Sequence, residues 1–175
     1  AVGAVLLTVA CSQRHWPSAA EPVGRAPRLD PDYAGVTVPP NIAPLNFTVA
    51  EPGRAFQVRL EARGGQVLTL ASQRPGFALP ASAWGRLLAA ARGDSLVLRV
   101  AAQQPDGGWR GYAPVTIQVA DAPIDPVLVY RRFRPLYSKY VEMGILARDL
   151  GGFGETTVLH SRQAALEMKL TKERE

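Results

Sequence analysis

The sequence predicts a mainly β protein, an immunoglobulin- or fibronectin-like β-sandwich with one short helix, followed by a C-terminal helical extension. Sixteen glycines and fifteen prolines cluster between short apolar runs, a distribution typical of turns that join strands. Several of these runs alternate apolar and polar residues, which indicates strands with one buried and one solvated face. Turn signals recur about every dozen residues, a spacing typical of sandwiches of about 100 residues.

The strands of the predicted sandwich occupy residues 35–130. The strongest alternation runs over residues 56–62, and the turn at 63–65 brings the chain back into a second strand over 66–71, as in a tight hairpin. Further strands are expected at residues 36–38, 45–49, 96–100, 115–119 and 127–130. Runs of this length and spacing favour a single core that is shared by two sheets.

One short helix interrupts the strand pattern. Trp84, Leu87 and Leu88 recur at helical spacing, Ser82 suits the N-cap, and Gly93 suits the position after the last turn. Apolar residues on one face of a helix pack against a core. We therefore expect this helix to lie on the sandwich with Trp84 buried.

Residues 131–175 are predicted to form the helical extension. Pro135 suits the first turn of a helix that reaches about Leu150, with apolar side chains on one face. A second helical stretch, from Ser161 to the end, carries leucines among charged residues.

The first eleven residues look like the end of a bacterial lipoprotein signal. An apolar run ends at Ala10, and Cys11 is followed at once by the polar Ser12, as at a secretory cleavage site. The run is too short to span a bilayer, which takes about 20 apolar residues. A cysteine directly after a small residue resembles the lipobox, in which the thiol receives a diacylglycerol and the freed amino group is acylated.

We therefore predict cleavage between Ala10 and Cys11, with Cys11 as the lipid anchor of an exported protein in the outer membrane or periplasm. Ser12 follows the cysteine where an Asp would retain the protein, and by the usual sorting rule for lipoproteins this favours release to the outer membrane. The alternative is that Cys11 is a buried thiol in an N-terminal strand or helix. Because residues 1–11 contain no Met and no basic segment, we expect the signal to begin further upstream.

Residues 12–34 are predicted to form a Pro-rich tether. They are rich in Pro, Ala, Arg and Glu and have almost no periodic apolar pattern, which is typical of a semi-extended spacer. Such a segment would hold a folded domain away from a membrane surface.

Cysteine and histidine usage argues against a catalytic or metal site. With one cysteine and two histidines, the chain supplies no disulfide, no Cys-based zinc site and no c-type haem motif. His15 lies in the predicted tether and His160 near the end, so the sandwich has no Ser-His-Asp set. We expect no enzyme activity, no metal and no cofactor in this chain.

Charge patterning argues against nucleic acid as a partner. The net charge is +5, but the arginines are mostly single and spaced along the chain. A nucleic-acid footprint would be a dense basic patch, often with interleaved aromatics. The pattern instead predicts a mildly basic, solvated surface.

Two aromatic residues beside glycines are the candidate ligand site. Trp109 and Tyr112 follow Gly107 and Gly108, and two exposed rings would form a platform for a sugar. Alternatively, Trp109 closes one end of the core. For Trp109 to lie in the core, buried and exposed positions must alternate without a break from Trp109 to Val115. A bulge would interrupt this alternation.

The run from Asp30 to Phe47, DPDYAGVTVPPNIAPLNF, resembles the N-terminal module of a group of Gram-negative envelope lipoproteins. Later matches are Trp84 with Leu87-Leu88, Gly108-Trp109 with Tyr112, residues 123–126 with 130–131, and residues 143–145 with 148–150. The resemblance spans about residues 30–153. In that family the module continues into a Cys-x-x-Cys-His haem-attachment motif and a Tol-type β-propeller.

The resemblance implies a module that stands between a lipid anchor and a downstream propeller. Residues 161–175 do not match the family and no cysteine follows Cys11, so haem is not carried over to this chain. We expect either a fragment of a longer protein or a diverged form. The leading hypothesis is a non-catalytic envelope lipoprotein module that acts as a spacer or scaffold, with the membrane and a propeller or envelope protein as partners. The alternatives are a carbohydrate-binding module and a truncated haem-containing lipoprotein.

Overall fold

The structure, a computed structural model, describes residues 16–133 and 143–160. Over these ranges the chain is mainly β with one short helix, which confirms that part of the predicted fold class. In chain order the elements are β1 (Glu21–Pro22), β2 (Leu29–Asp30), β3 (Thr37–Val38), β4 (Asn46–Val49), β5 (Ala55–Ala62), β6 (Val67–Ser72), β7 (Gly76–Ala78), α1 (Ala81–Ala90), β8 (Ser95–Gln103), β9 (Trp109–Gly111), β10 (Val115–Val119), β11 (Val127–Arg132), β12 (Gly144–Asp149) and β13 (Glu155–His160).

The largest sheet has seven strands and is built around β8. One side of β8 pairs antiparallel with β5 along its whole length. Its other side pairs with β10 in the first half and with β9 in the second half. β6 extends the sheet beyond β5 as the expected hairpin, while β1 and β3 run parallel to β9 and β10 at the opposite edge.

A second sheet, of the three antiparallel strands β2, β4 and β7, shares one core with the large sheet and α1. In β4 and β10 every second side chain is buried, as expected of strands with one solvated face. The rings of Phe47 and Phe77 stack inside the core at 5.8 Å between centroids. One core cluster therefore contains residues of both sheets and of α1.

The helix lies on this core through the residues that the sequence predicted. Trp84 is 2% exposed and Leu87 and Leu88 are also buried, which confirms the expected burial of Trp84. Its indole N–H donates to the Ile42 carbonyl at 3.1 Å. The helix begins earlier than predicted, because Pro80 and not Ser82 occupies the N-cap, and it makes no side-chain cap.

From residue 21 onward, the segment predicted as a tether over 12–34 is part of the folded body. β1 and β2 belong to the two sheets, Leu29 is buried, and the Val23 amide donates to the Gly111 carbonyl at 2.9 Å. Strands of two residues have no detectable periodicity, so composition alone suggested an unpaired spacer. This corrects the tether prediction for those residues.

The predicted helical extension over 131–175 is not seen in the part of the chain that is described. β11, β12 and β13 form a separate antiparallel sheet instead, here called the small sheet. Residues 144–149, expected in the helix reaching Leu150, are strand β12, because they pair with strands on both sides. Residues 135–142 and the second predicted helix from Ser161 lie outside the described residues. The strand expected at 127–130 is confirmed as β11.

Candidate functional site

Trp109 and Tyr112 lie on opposite faces of the large sheet. On β8, Trp109 is opposite Gln103 and Val115 is opposite Leu98. From Trp109 to Val115 the chain advances six residues, whereas the opposite positions on β8 are only five residues apart. One extra residue therefore forms a bulge between β9 and β10. Trp109 shares the outer face with Gln103, whereas Tyr112 is 7% exposed and belongs to the core. The two rings do not form one platform.

Tyr112 takes part in a buried polar network centred on Glu51. The Glu51 side chain has no exposed surface, and its carboxylate accepts two hydrogen bonds from the Arg25 guanidinium, at 2.6 and 2.8 Å. The Arg28 backbone N–H donates to it at 2.8 Å, and the Tyr112 hydroxyl donates at 3.3 Å. Bidentate, charge-assisted bonds of this kind are among the strongest in proteins.

The network fixes the ionisation of its members. Hydrogen bonding to Arg25 lowers the pKa of Glu51 from 4.5 to about 2, against the opposing effect of burial. Burial raises the pKa of Tyr112, and the neighbouring Glu51 charge raises it further. The Arg25 guanidinium also lies over the Tyr112 ring, 5.3 Å from its centroid. Tyr112 therefore helps attach residues 25–28 to the core, in which its ring is buried.

A cavity of about 440 Å³ lies beside Trp109 near the β1 edge of the large sheet, and we call it the Trp109 cavity. Trp109 is half-buried there. The lining residues are Ala19, Glu21, Gln104, Pro105, Asp106, Gly108, Trp109 and Arg110. Arg110 is opposite the core residue Ala102 and Glu21 is opposite Arg110, so these two side chains lie on the other face of the sheet from Trp109. Sequence reasoning singled out Trp109 but missed the others, since only the parallel pairing of β1 with β9 brings Glu21 to Arg110.

The turn from Gln104 to Gly108 forms one wall of this cavity and is closed by several hydrogen bonds. The Gln104 amide donates to the Gly108 carbonyl at 2.8 Å, and the Gly107 amide donates to the Gln104 carbonyl at 3.0 Å. The Asp106 carboxylate accepts from the Gly108 amide at 2.9 Å. Gly107 has a φ of +90°, which favours glycine. These bonds hold the turn in one conformation.

The small sheet leaves one apolar face uncovered. Val127 and Val129 of β11 share this face with Ile145 of β12 and Leu159 of β13, and Phe133 is next in the alternation. We call these five residues the apolar face. Their exposed fractions lie between 37% and 60%.

The opposite face of the small sheet is partly polar. Tyr130, Arg132 and Glu155 form a hydrogen-bonded cluster there, in which Arg132 lies 3.0 Å from the Tyr130 hydroxyl and Tyr130 donates to Glu155. Leu146 is buried between these strands. The two faces therefore differ in chemistry, although the apolar face also carries Arg131, opposite Ile145, and Asp149, opposite Val127.

No family model matches the chain, and no curated protein matches it. Across residues 16–133 and 143–160, no helix is long and apolar enough to cross a bilayer. The same ranges hold no group of three or more His, Cys, Asp or Glu residues that would suit a metal ion. The predicted anchor, Cys11, lies outside the described residues. The likeness to the envelope lipoprotein module stays a prediction.

Proposed function

We propose that this chain is a non-catalytic envelope lipoprotein module, a spacer that presents a downstream domain or an envelope partner. The observation that carries the proposal is the uncovered apolar face of the small sheet. A sheet of three short strands needs a covered apolar face for stability in water. A covering domain or protein would supply it, as a spacer or scaffold requires. The lipobox resemblance at Cys11 supports the envelope location.

The strand order supports an immunoglobulin- or fibronectin-like form for the sandwich. If β2, β4, β5, β6, β7, β8 and β10 are labelled A, B, C, C′, E, F and G, the two sheets have the orders A-B-E and C′-C-F-G. Immunoglobulin-type sandwiches place C, F and G together in one sheet, and C′ joins that sheet in the variable type. Modules of this architecture commonly serve as rigid units in multidomain surface proteins.

Contacts between the small sheet and the body support a spacer of fixed geometry. The Asn41 amide donates to the Ile124 carbonyl at 2.8 Å and accepts from the Ile124 amide at 3.1 Å. The Ala43 amide donates to the Leu150 carbonyl at 2.7 Å. Ile42, between these two residues, accepts the hydrogen bond from the buried Trp84. Residues 41–43 therefore link the core to Ile124 and Leu150, which flank strands β11 and β12 of the small sheet.

Site-specific crosslinking in a Gram-negative envelope tests the proposal. A photoreactive side chain at Val129 should join the chain to one discrete partner, or to an appended downstream domain. The matched control is Thr116, an exposed strand position on β10, which should give no such product. The double variant V127E/V129E should lose the product while its circular dichroism stays unchanged. Equal products from both positions, or none from Val129, would contradict a spacer that uses the apolar face.

A further inference from the structure

We propose that the edge of the large sheet formed by β6, which we call the β6 edge, is a homodimer interface. There β6 pairs antiparallel with β6 of a second copy of the chain, and the two large sheets join into one continuous sheet across a two-fold axis. This inference goes beyond the spacer function and does not involve the apolar face of the small sheet.

The β6 edge is the longest strand edge of the sandwich and has none of the usual protection. Among the described residues, β6 runs for six residues and pairs only with β5. The other edge strands, β1, β2, β3 and β7, have two or three residues, and a proline lies within each of them or directly beside it. Short strands, prolines and charged side chains keep sheet edges from pairing with other chains. Residues 66–73 contain no proline and no charged side chain, so this edge is open to another strand.

The backbone groups of every second residue of β6 point to this open edge. The Ala62 amide donates to the Gln66 carbonyl at 2.9 Å. Hydrogen-bonded and non-hydrogen-bonded pairs alternate along an antiparallel ladder, so the even-numbered residues of β6 carry the bonds to β5. The amides and carbonyls of Val67, Thr69 and Ala71 therefore point away from β5. No other backbone group in the described part of the chain bonds to them.

These three residues allow a symmetric pairing with a second copy. When Thr69 lies opposite Thr69 of the second copy, Val67 of each copy lies opposite Ala71 of the other. Each of these pairs then exchanges two backbone hydrogen bonds, which gives about six bonds across the interface. A two-fold interface has to be complementary to itself, and the outward groups of β6 meet this requirement.

The side chains along β6 also suit this pairing. Leu68 and Leu70 are only partly buried against the core, and in the same register each of them faces the other leucine of the second copy. Val67 is 40% exposed and would be partly covered by Ala71 of the second copy. Dimer formation therefore removes apolar surface from water on both faces of the sheet, which favours association.

The charge distribution around β6 favours its own copy as the partner. Residues 66–73 are uncharged, and Arg63 and Arg74 lie beyond the segment that pairs. On the neighbouring β5, Arg59 forms an ion pair with Glu61. Like charges directly opposite each other destabilise paired strands, and none face each other in this register. An uncharged edge also offers no complementary charge by which a different protein would be selected.

Sedimentation of the full chain at increasing concentration tests the proposal. An interface of two paired strands is small, so the wild type should convert from monomer to dimer as its concentration rises. Thr69→Lys places two ammonium groups opposite each other at the axis and should weaken the dimer about tenfold or more. Thr69→Pro should also weaken it, because it removes an outward amide and leaves the hydrogen bonds to β5 in place. Thr116→Lys, the matched control, makes the same change at an exposed position on the same face and should leave the dimer unchanged.

Disulfide trapping tests the register. In a Cys11→Ser background, Thr69→Cys should crosslink to its own copy under mild oxidation, because opposite Cα atoms of a hydrogen-bonded pair lie about 5.5 Å apart. Val67→Cys is the matched control on the same strand and face. Its equivalent in the second copy lies four residues further along the strand, about 14 Å away, so it should not crosslink.

A chain that stays monomeric at every concentration up to about 1 mM would overturn the proposal. A dimer that persists in both Thr69→Lys and Thr69→Pro, or equal crosslinking of Thr69→Cys and Val67→Cys, would overturn it as well. The variant V127E/V129E should dimerise as the wild type does. Loss of the dimer in that variant, with Thr69→Lys still dimeric, would place the interface on the apolar face. This comparison separates failure of the homodimer from failure of the spacer function.

Discussion

At the scale of single residues, Glu51 shows how a carboxylate can be buried without destabilising the fold. Its carboxylate contacts donors: the guanidinium of Arg25, the backbone and side chain of Arg28, and the hydroxyl of Tyr112. A buried charge is costly unless it is paired and hydrogen-bonded. Nothing in the local sequence, EPGR, distinguishes Glu51 from an ordinary turn residue. Its role depends on partners 23 to 61 residues away.

The lowered pKa of Glu51 predicts a dependence of stability on pH. The carboxylate has a pKa of about 2 in the folded chain and 4.5 as the reference value, so the unfolded chain binds its proton more readily. Stability from this group is therefore complete above about pH 5 and is lost as the pH falls toward 2. Urea denaturation at several pH values should show that the wild type has a higher free energy of unfolding than Glu51→Gln above about pH 5. This difference should shrink as the pH falls toward 2. A constant difference between the two proteins from pH 6 to pH 2.5 would contradict the assignment.

At the scale of elements, the spacing of apolar residues was enough to predict the conformation of α1 but not that of β12. The helix was predictable because Trp84, Leu87 and Leu88 face one side over ten residues. The run from Gly144 to Asp149 is six residues long, too short for a period of two to be told from one of 3.6. Pairing with β11 and β13 decides its conformation, and those partners are not visible in the run itself.

The burial of Trp84 predicts a large cost for its removal. Trp84→Ala deletes a fully packed ring from the core and the hydrogen bond to Ile42, so the free energy of unfolding should fall by about 3–5 kcal/mol. Trp84→Phe keeps most of the apolar volume and should cost less. Chemical denaturation of both variants provides the measurement. A loss below about 1 kcal/mol for Trp84→Ala would show that α1 is not packed as described.

At the scale of the whole molecule, the mainly β class and the shared core followed from alternation and turn spacing. The sequence did not reveal that Glu21–Pro22 and Leu29–Asp30 belong to the sheets, because strands of two residues pair through the backbone and are too short to show a side-chain pattern. The bulge that places Trp109 and Val115 on opposite faces was also hidden, since register depends on the partner strand β8. Both features depend on how strands pair with each other, which the alternation within one strand does not reveal.

The anchor prediction also belongs to the whole molecule. When the chain is expressed in a Gram-negative host behind a complete export signal, labelled fatty acid should be incorporated at Cys11 and the protein should partition into detergent. Two or more acyl chains are needed for stable anchoring, because each buried methylene contributes about 0.8 kcal/mol. Cys11→Ser should abolish both the label and the partitioning. A Cys11→Ser protein that is still cleaved and membrane-bound would refute the lipoprotein assignment.

Because of the bulge between β9 and β10, the face on which Trp109 lies depends on the number of residues between these two strands. A substitution leaves that number unchanged, whereas a deletion alters it. Within the bulge, the Ala113 amide donates to the Arg25 carbonyl and Pro114 has no amide to satisfy. Deleting one residue from 112–114 would restore a continuous strand and turn Trp109 toward the core. Among related chains, a one-residue gap at this point would therefore separate those with an outward tryptophan from those without one, whatever their overall identity.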